Sequence, residues 1–311
     1  MPDVKTALLL TVLLYLPASC PIFATNYYVP SDFGSDSLYS PFGNFLSYTF
    51  DSLQLRDSFS TDNFSENLDQ VVHDLTHPRE AIEAEGGFER FVNRQIFPIN
   101  STYIDESSAA LPNYFLHLFG GGMVFRKDLE WFRANNAAYP EGYAVTLAMT
   151  AELLQEALER ETTTADDAVA DFWIFRTVGI ALFYNEAFAA GFMKYLDPAI
   201  WPYLQVYDVS EGELNNTGIN YMYRPPKMEF FNSRLFLFTG LNTLLGLSHR
   251  TSKSDWLSWG IGAATQRVNF DTSLQAEVEP SFGLFYDRDK SLLWSLVIND
   301  TGGTHFRFNL Y

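Results

Sequence analysis

Cysteine is nearly absent from this chain of 311 residues, with Cys20 the single instance. One thiol excludes an internal disulfide and any zinc site built on several cysteines. Basic residues are also scarce: 20 Lys and Arg stand against 38 Asp and Glu, for a formal net charge of −18. A nucleic-acid partner needs a basic face, so that class is excluded. The apolar stretch Ala7 to Leu16 is about half the length a helix needs to cross a bilayer. No P-loop, no G-x-G-x-x-G, no G-x-S-x-G, no internal repeat and no low-complexity tract occurs. What is abundant is aromatic: 28 Phe, 17 Tyr and 6 Trp within a 47% apolar composition. Such a chain has ample material for a core, and its aromatics suit either dense packing or a membrane interface.

The short apolar run fits the h-region of a secretory signal, and Ile22, Phe23 and Ala24 form an acceptable cleavage site before Thr25. Residues 1–24 therefore read as a signal peptide of an exported protein. Ala18, Ser19 and Cys20 also resemble the end of a bacterial lipobox, which makes Cys20 a lipidation candidate, although Pro17 stands where Leu is expected. The acidic charge keeps an exported protein soluble and repels anionic headgroups.

The expected fold class is α+β. Residues 25–66 read as an irregular segment with a candidate strand over Tyr48–Leu55. Residues 67–206 read as a helical domain of five or six helices: Asn67–Leu75, Pro78–Gln95, Pro112–Arg133, Pro140–Arg160, Thr164–Asn185 and Glu186–Leu196, two of them opening on an N1 proline. Over residues 215–311 the hydrophobic period changes to two, predicting an antiparallel β-meander of five or six strands. Leu274, Ala276, Val278, Pro280, Phe282, Leu284 and Tyr286 form the clearest alternating row. Leu235, Leu237, Leu241 and Leu245 form another. Tyr311 falls on the polar face with His305, Arg307 and Asn309. Two architectures fit: an open sheet packed on the helices, or a small or partial β-barrel in contact with the outer membrane.

Three constellations bear on chemistry. His73-Asp-Leu-Thr-His77 approaches the metalloprotease H-E-x-x-H, but Asp is shorter than Glu and Pro78 disfavours helical geometry at His77. The pair is a candidate binding site, with a cap on the next helix as the structural reading of His77. The second lies on the central helices. His117 and Gly121 are i and i+4 on a helix that is apolar nearly all round, so the imidazole needs a buried partner. Glu152 and Glu156 share the same spacing, and Asp167, Asp171 and Arg176 follow on the next helix. One His with two or more carboxylates holds a divalent metal or performs acid/base work. His117, Glu152, Glu156 and Asp171 are thus the candidate catalytic residues, and Asp167 and Arg176 candidate binding residues. The alternative is a polar cluster that fixes helix register, with Thr164 and Asp167 forming a capping box. Gly120, Gly121 and Gly122 predict a close helix crossing that only missing side chains permit. Third, Ser248, His249 and Ser252 are the residue types of a barrel acyl hydrolase, without a recognisable group to orient the imidazole.

The order H-x3-G, E-x3-E, then D-x3-D ahead of a glycine-containing helix resembles the YfiM-like periplasmic lipoproteins. The matching positions are His117 and Gly121, Glu152 and Glu156, Asp167 and Asp171, and Gly179. The likeness spans residues 113–185 and implies an envelope location and a helix-packing pattern, not a reaction. The long N-terminal segment and the β-rich end depart from it.

Three functional classes stay open on this reading. The first is a non-enzymatic structural or binding protein of the bacterial cell envelope, periplasmic or associated with the outer membrane. The second is a metal-dependent or acyl-transferring enzyme that acts on envelope lipid through the His/Glu/Asp cluster. The third is a soluble periplasmic binding module with a pocket between helices and sheet.

Overall fold

The computed structural model describes residues 26–55, 58–100, 110–161, 163–209, 213–215, 218–269 and 275–311. The expected signal segment and Cys20 lie outside them. The fold is α+β, with a helical region followed by an antiparallel sheet.

After a one-turn helix over Gly34–Ser37, the helical region continues with α1, Pro41–Thr49, where a strand is expected over Tyr48–Leu55. Ser40 accepts from the Gly43 N–H as an N-cap and Pro41 occupies the first turn, which commits the segment to helix. The 3-10 turn Asp51–Gln54 follows, so neither half of the expected strand forms. Helix α2 is Phe64–Thr76 and α3 is Pro78–Ala84. The single helix expected over Pro78–Gln95 is broken at Gly86 and Gly87, whose φ values of 99° and 89° are left-handed. Helix α4 then runs through Phe88–Phe91 into a π-helical turn, Val92–Ile96.

Helix α5 is composite: Ala110–Pro112 and Gly121–Ala134 flank the π-helical stretch Asn113–Gly120. Helix α6 is Pro140–Glu159. Helix α7 repeats the composite form, with Ala165–Ala168 and Thr177–Tyr184 flanking the π-helical stretch Val169–Arg176. Helix α8 is Glu186–Leu196. The close crossing expected from the glycines joins α5 to α7. A Cβ on Gly179 would lie 2.5 Å from the Leu118 carbonyl oxygen, and one on Gly122 would meet the Phe183 ring.

The strands are β1 (Ala199–Pro202), β2 (Val206–Asp208), β3 (Glu213–Asn215), β4 (Ile219–Tyr223), β5 (Glu229–Phe230), β6 (Ser233–Thr239), β7 (Asn242–Arg250), β8 (Asp255–Asn269), β9 (Gln275–Arg288), β10 (Ser291–Asp300) and β11 (Thr304–Leu310). Nine of them form one sheet in the order β1-β4-β6-β7-β8-β9-β10-β11, with β5 attached to β6. The meander is thus larger than the five or six strands expected. The row from Leu235 to Leu245 is divided between β6 and β7, which pair antiparallel across a turn at Gly240 and Leu241.

Contacts across this sheet show how it curls. Trp201 of β1 stacks on Phe285 of β9 at 5.6 Å, although four strands lie between them in the order. Arg224, just after β4, pairs with Asp287, and the Tyr311 hydroxyl donates to the Pro202 carbonyl at 2.6 Å. The sheet is a half-barrel whose concave side encloses Trp201, Met222, Phe236, Phe238, Leu244, Phe285, Leu292 and Val297. The face carrying Arg307, Asn309 and Tyr311 looks into this interior: Asn309 donates to Ser295 and Arg307 pairs with Asp300. The helices cover only one flank of the convex side. There Ile200, Ile219, Tyr221 and Tyr223 join Met123, Phe125, Ala144 and Phe183 in a shared core. Among the described residues no helix is long and apolar enough to cross a membrane.

Candidate metal centre

The polar residues singled out on α5, α6 and α7 converge. The His117 Nδ1 lies 2.6 Å from Glu152 Oε1, and its Nε2 lies 3.7 Å from Asp171 Oδ2. Donor atoms of Glu156, Asp167 and Asp171 all lie within 4.8 Å of one another, as do those of His117, Glu152 and Glu156. All five side chains are buried. Regular helical spacing places Glu152 and Glu156 one turn apart on α6. His117 and Asp171 sit in the two π-helical stretches, a rare geometry concentrated at functional sites.

The two glutamates do different work. Both oxygens of Glu152 are engaged: Oε1 by His117, and Oε2 by Arg176 Nε at 2.7 Å and by the Tyr48 hydroxyl at 2.9 Å. Burial alone would raise the Glu152 carboxyl, but Arg176 and His117 outweigh it and hold it down to about 2. Arg176 is fixed in turn, its guanidinium 4.1 Å from the centre of the Tyr48 ring and against Gly121, where any Cβ would displace it. Arg176 is therefore a positioning residue rather than a ligand-binding one.

Glu156 is the opposite case. Neither of its oxygens, nor Asp171 Oδ1, has a hydrogen-bond partner among the described residues. Burial, then repulsion from Asp167, Glu159 and Glu152, pushes the Glu156 carboxyl well above its ordinary value. Burial and the neighbouring carboxylates do the same to Asp171. Asp167 rises to about 6 through burial and the adjacent Asp166, with His117 and Arg94 pulling the other way. Burial opposes the charge on His117, yet Glu152 leaves the imidazole above its ordinary value.

A cation would resolve this arrangement. Buried carboxylates without partners are costly, and a divalent ion supplies the missing positive charge and the missing contacts together. Glu152 accepts from His117 at Nδ1, the outer-shell carboxylate–histidine arrangement that leaves Nε2 as the donor to a metal. The two triads share Glu156, so His117, Asp167 and Asp171 around it would offer one imidazole and three carboxylates, a set suited to zinc, iron or manganese rather than to a soft thiophilic ion.

The cluster closes one end of a cavity of about 460 Å³. Leu111, Phe115 and Leu116 of α5 line one wall, and Leu237, Ala263 and Val278 of the sheet line the other. His117, Asp167 and Asp171 face it, together with Gln155, Glu159 and Asp51. Its size and its apolar wall with a polar end are those of a small-molecule site.

The remaining candidates lie elsewhere. His73 and His77 stack on each other at the exposed end of α2 and join no carboxylate cluster. The His77 side chain does not cap α3; its Nδ1 sits 3.1 Å from the His73 carbonyl oxygen. Nor does Thr164 form a capping box with Asp167, because its hydroxyl donates to Asp166, itself paired with Arg94. Ser248 is buried against Ser258, and the exposed His249 reaches only Ser233. Sequence reasoning missed Tyr48, Asp51 and Glu159. The spacing of Glu152, Glu156 and Glu159 along one stripe of α6 offers a signal for the last, whereas nothing local marks Tyr48. No family model, curated protein or solved structure matches the chain.

Proposed function

We propose that the chain is an exported cell-envelope protein that holds a divalent cation at His117, Glu156, Asp167 and Asp171 and receives an apolar-tailed ligand in the adjoining cavity. The unpartnered oxygens of Glu156 and Asp171 carry this reading, since a purely structural polar cluster would leave no buried carboxylate unmatched. The export pattern at residues 1–24 and the resemblance to YfiM-like envelope proteins support the location.

A cation in this position polarises an acyl or phosphoryl oxygen, or lowers the pKa of a bound water. The Glu159 carboxyl, raised to about 7 by burial, faces the cavity and is suited to exchange a proton with such a group near neutral pH. The favoured activity is therefore metal-dependent hydrolysis or transfer at the head of a lipid-like ester. A non-enzymatic binding role uses the same cation and cavity and differs only in lacking turnover. The test is equilibrium dialysis of the full chain against Mn²⁺ and Zn²⁺. The reading requires about one tightly bound ion per chain, lost in His117→Ala and in Asp171→Asn. A wild-type chain that binds no more ion than the two variants contradicts it.

A further inference from the structure

Among the described residues, no helix packs on the convex side of β7 to β11 beyond the cavity wall, and the composition there is not that of a water-facing surface. Pairing registers align three cross-strand rows. The first is Leu245, Ile261, Phe282, Ile298 and Phe306. Leu247, Trp259, Leu284, Leu296 and Phe308 make the second, and Leu257, Tyr286, Trp294 and Leu310 continue the third beside His249. Ile261 is 61% exposed, Phe306 62% and Leu310 66%. No acidic or basic side chain interrupts the first two rows. Charges gather at the strand ends instead: Arg250, Lys253, Arg288 and Asp289 at one end, Arg267, Glu277 and Glu279 at the other. A contiguous apolar patch on this scale marks an interaction surface.

We infer that this convex face lies along a phospholipid leaflet and presses its three rows into the hydrocarbon, with the charged strand ends on either side at headgroup level. Rows two residues apart are separated by about 7 Å, so the three rows form an apolar strip about 14 Å long between the two charged strand ends. The third row has the chemistry of an interface: Tyr286 stacks on Trp294, and its hydroxyl donates to Asp255 at the charged rim. The helices covering the opposite flank of the convex side restrict this contact to one side of the half-barrel. A net charge of −18 selects zwitterionic over anionic headgroups.

The cavity's sheet wall continues this face. Thr243, Ala263 and Val278 line the cavity, and Leu245 and Ile261 are the next outward-facing residues along β7 and β8. A hydrocarbon tail would enter from the leaflet without crossing water, a consequence that rests on the function proposed above while the seating itself does not.

The test is flotation of the full chain with phosphatidylcholine vesicles whose acyl chains are brominated, with tryptophan fluorescence recorded in the floated fraction. Wild type should float with its emission quenched. Ile261→Glu with Phe306→Glu and Phe308→Glu should stay in solution and bind Mn²⁺ as wild type does. Replacing Trp259 and Trp294 by Phe should preserve flotation and remove most of the quenching. Wild type that sediments unquenched and scatters light as a dimer overturns the inference and assigns the face to a second copy of the chain.

Discussion

Two regions of this molecule bury charge, and they do so differently. Inside the half-barrel each buried acid is matched. Arg224 holds both oxygens of Asp287 at 2.9 and 3.0 Å, and Asp300 is bonded by Arg307 and Asn242. Between the helices Arg176 and His117 both engage Glu152 and Arg94 engages Asp166, while Glu156 and Asp171 keep oxygens without hydrogen-bond partners among the described residues. A matched interior is a structural device, and under the function proposed above the unmatched one is where a cation would bind. The contrast separates the two roles more sharply than burial does, since both sets are almost wholly inaccessible.

The largest expected effect breaks the matched side. Arg224→Ala strands Asp287 in the barrel interior and should cost about 3–5 kcal/mol in urea unfolding, the usual penalty for removing one partner of a buried pair. Next comes the backbone contact that brings α5 to α7. Gly179→Ala drives a methyl against the Leu118 carbonyl, which cannot rotate away, and should lower stability by about 1–3 kcal/mol while weakening Mn²⁺ binding. Glu152→Gln leaves the presumed ligands in place but loosens the tautomer and aim of His117. A fall in cation affinity of about 10–100-fold, read by dialysis, is the expected result.

A further effect is the pH dependence of the cation-free protein. The folded-state values of Asp167, at about 6, and of Asp51, Asp128 and Glu159, at about 7, lie above those of the unfolded chain. Each then contributes stability that is fully present below its unfolded value, near pH 4, and is lost as pH rises through 6 to 7. Urea midpoints should fall between pH 5 and pH 8, and saturating Mn²⁺ should remove part of that slope. A midpoint that rises over this interval would show that the acids are matched after all.

Much of this was legible in the sequence where a local signal exists. N1 prolines at 78 and 140 and the i, i+4 spacing of Glu152 and Glu156 are local, and the helices they mark begin where expected. The change of period near residue 215 likewise announced the sheet. What failed was non-local or ambiguous. Over Tyr48–Leu55 alternating polarity suggested a strand, but Ser40 and Pro41 upstream had already set a helix that delivers the Tyr48 hydroxyl to Glu152. The π-helical stretches around His117 and Asp171 carry no compositional mark. The side of the sheet that becomes concave depends on Trp201 reaching Phe285 across four strands, which alternation alone does not encode. His73 and His77 illustrate the converse: a familiar spacing that joins no group of three potential metal ligands among the described residues.

Urea unfolding of wild type and Glu156→Gln, each with and without Mn²⁺, tests the central contrast most directly. Removing an unmatched buried charge should leave the cation-free variant at least as stable as wild type, and Mn²⁺ should stabilise wild type alone. A less stable Glu156→Gln together with a wild type that Mn²⁺ does not move would contradict the account and make the cluster a structural one.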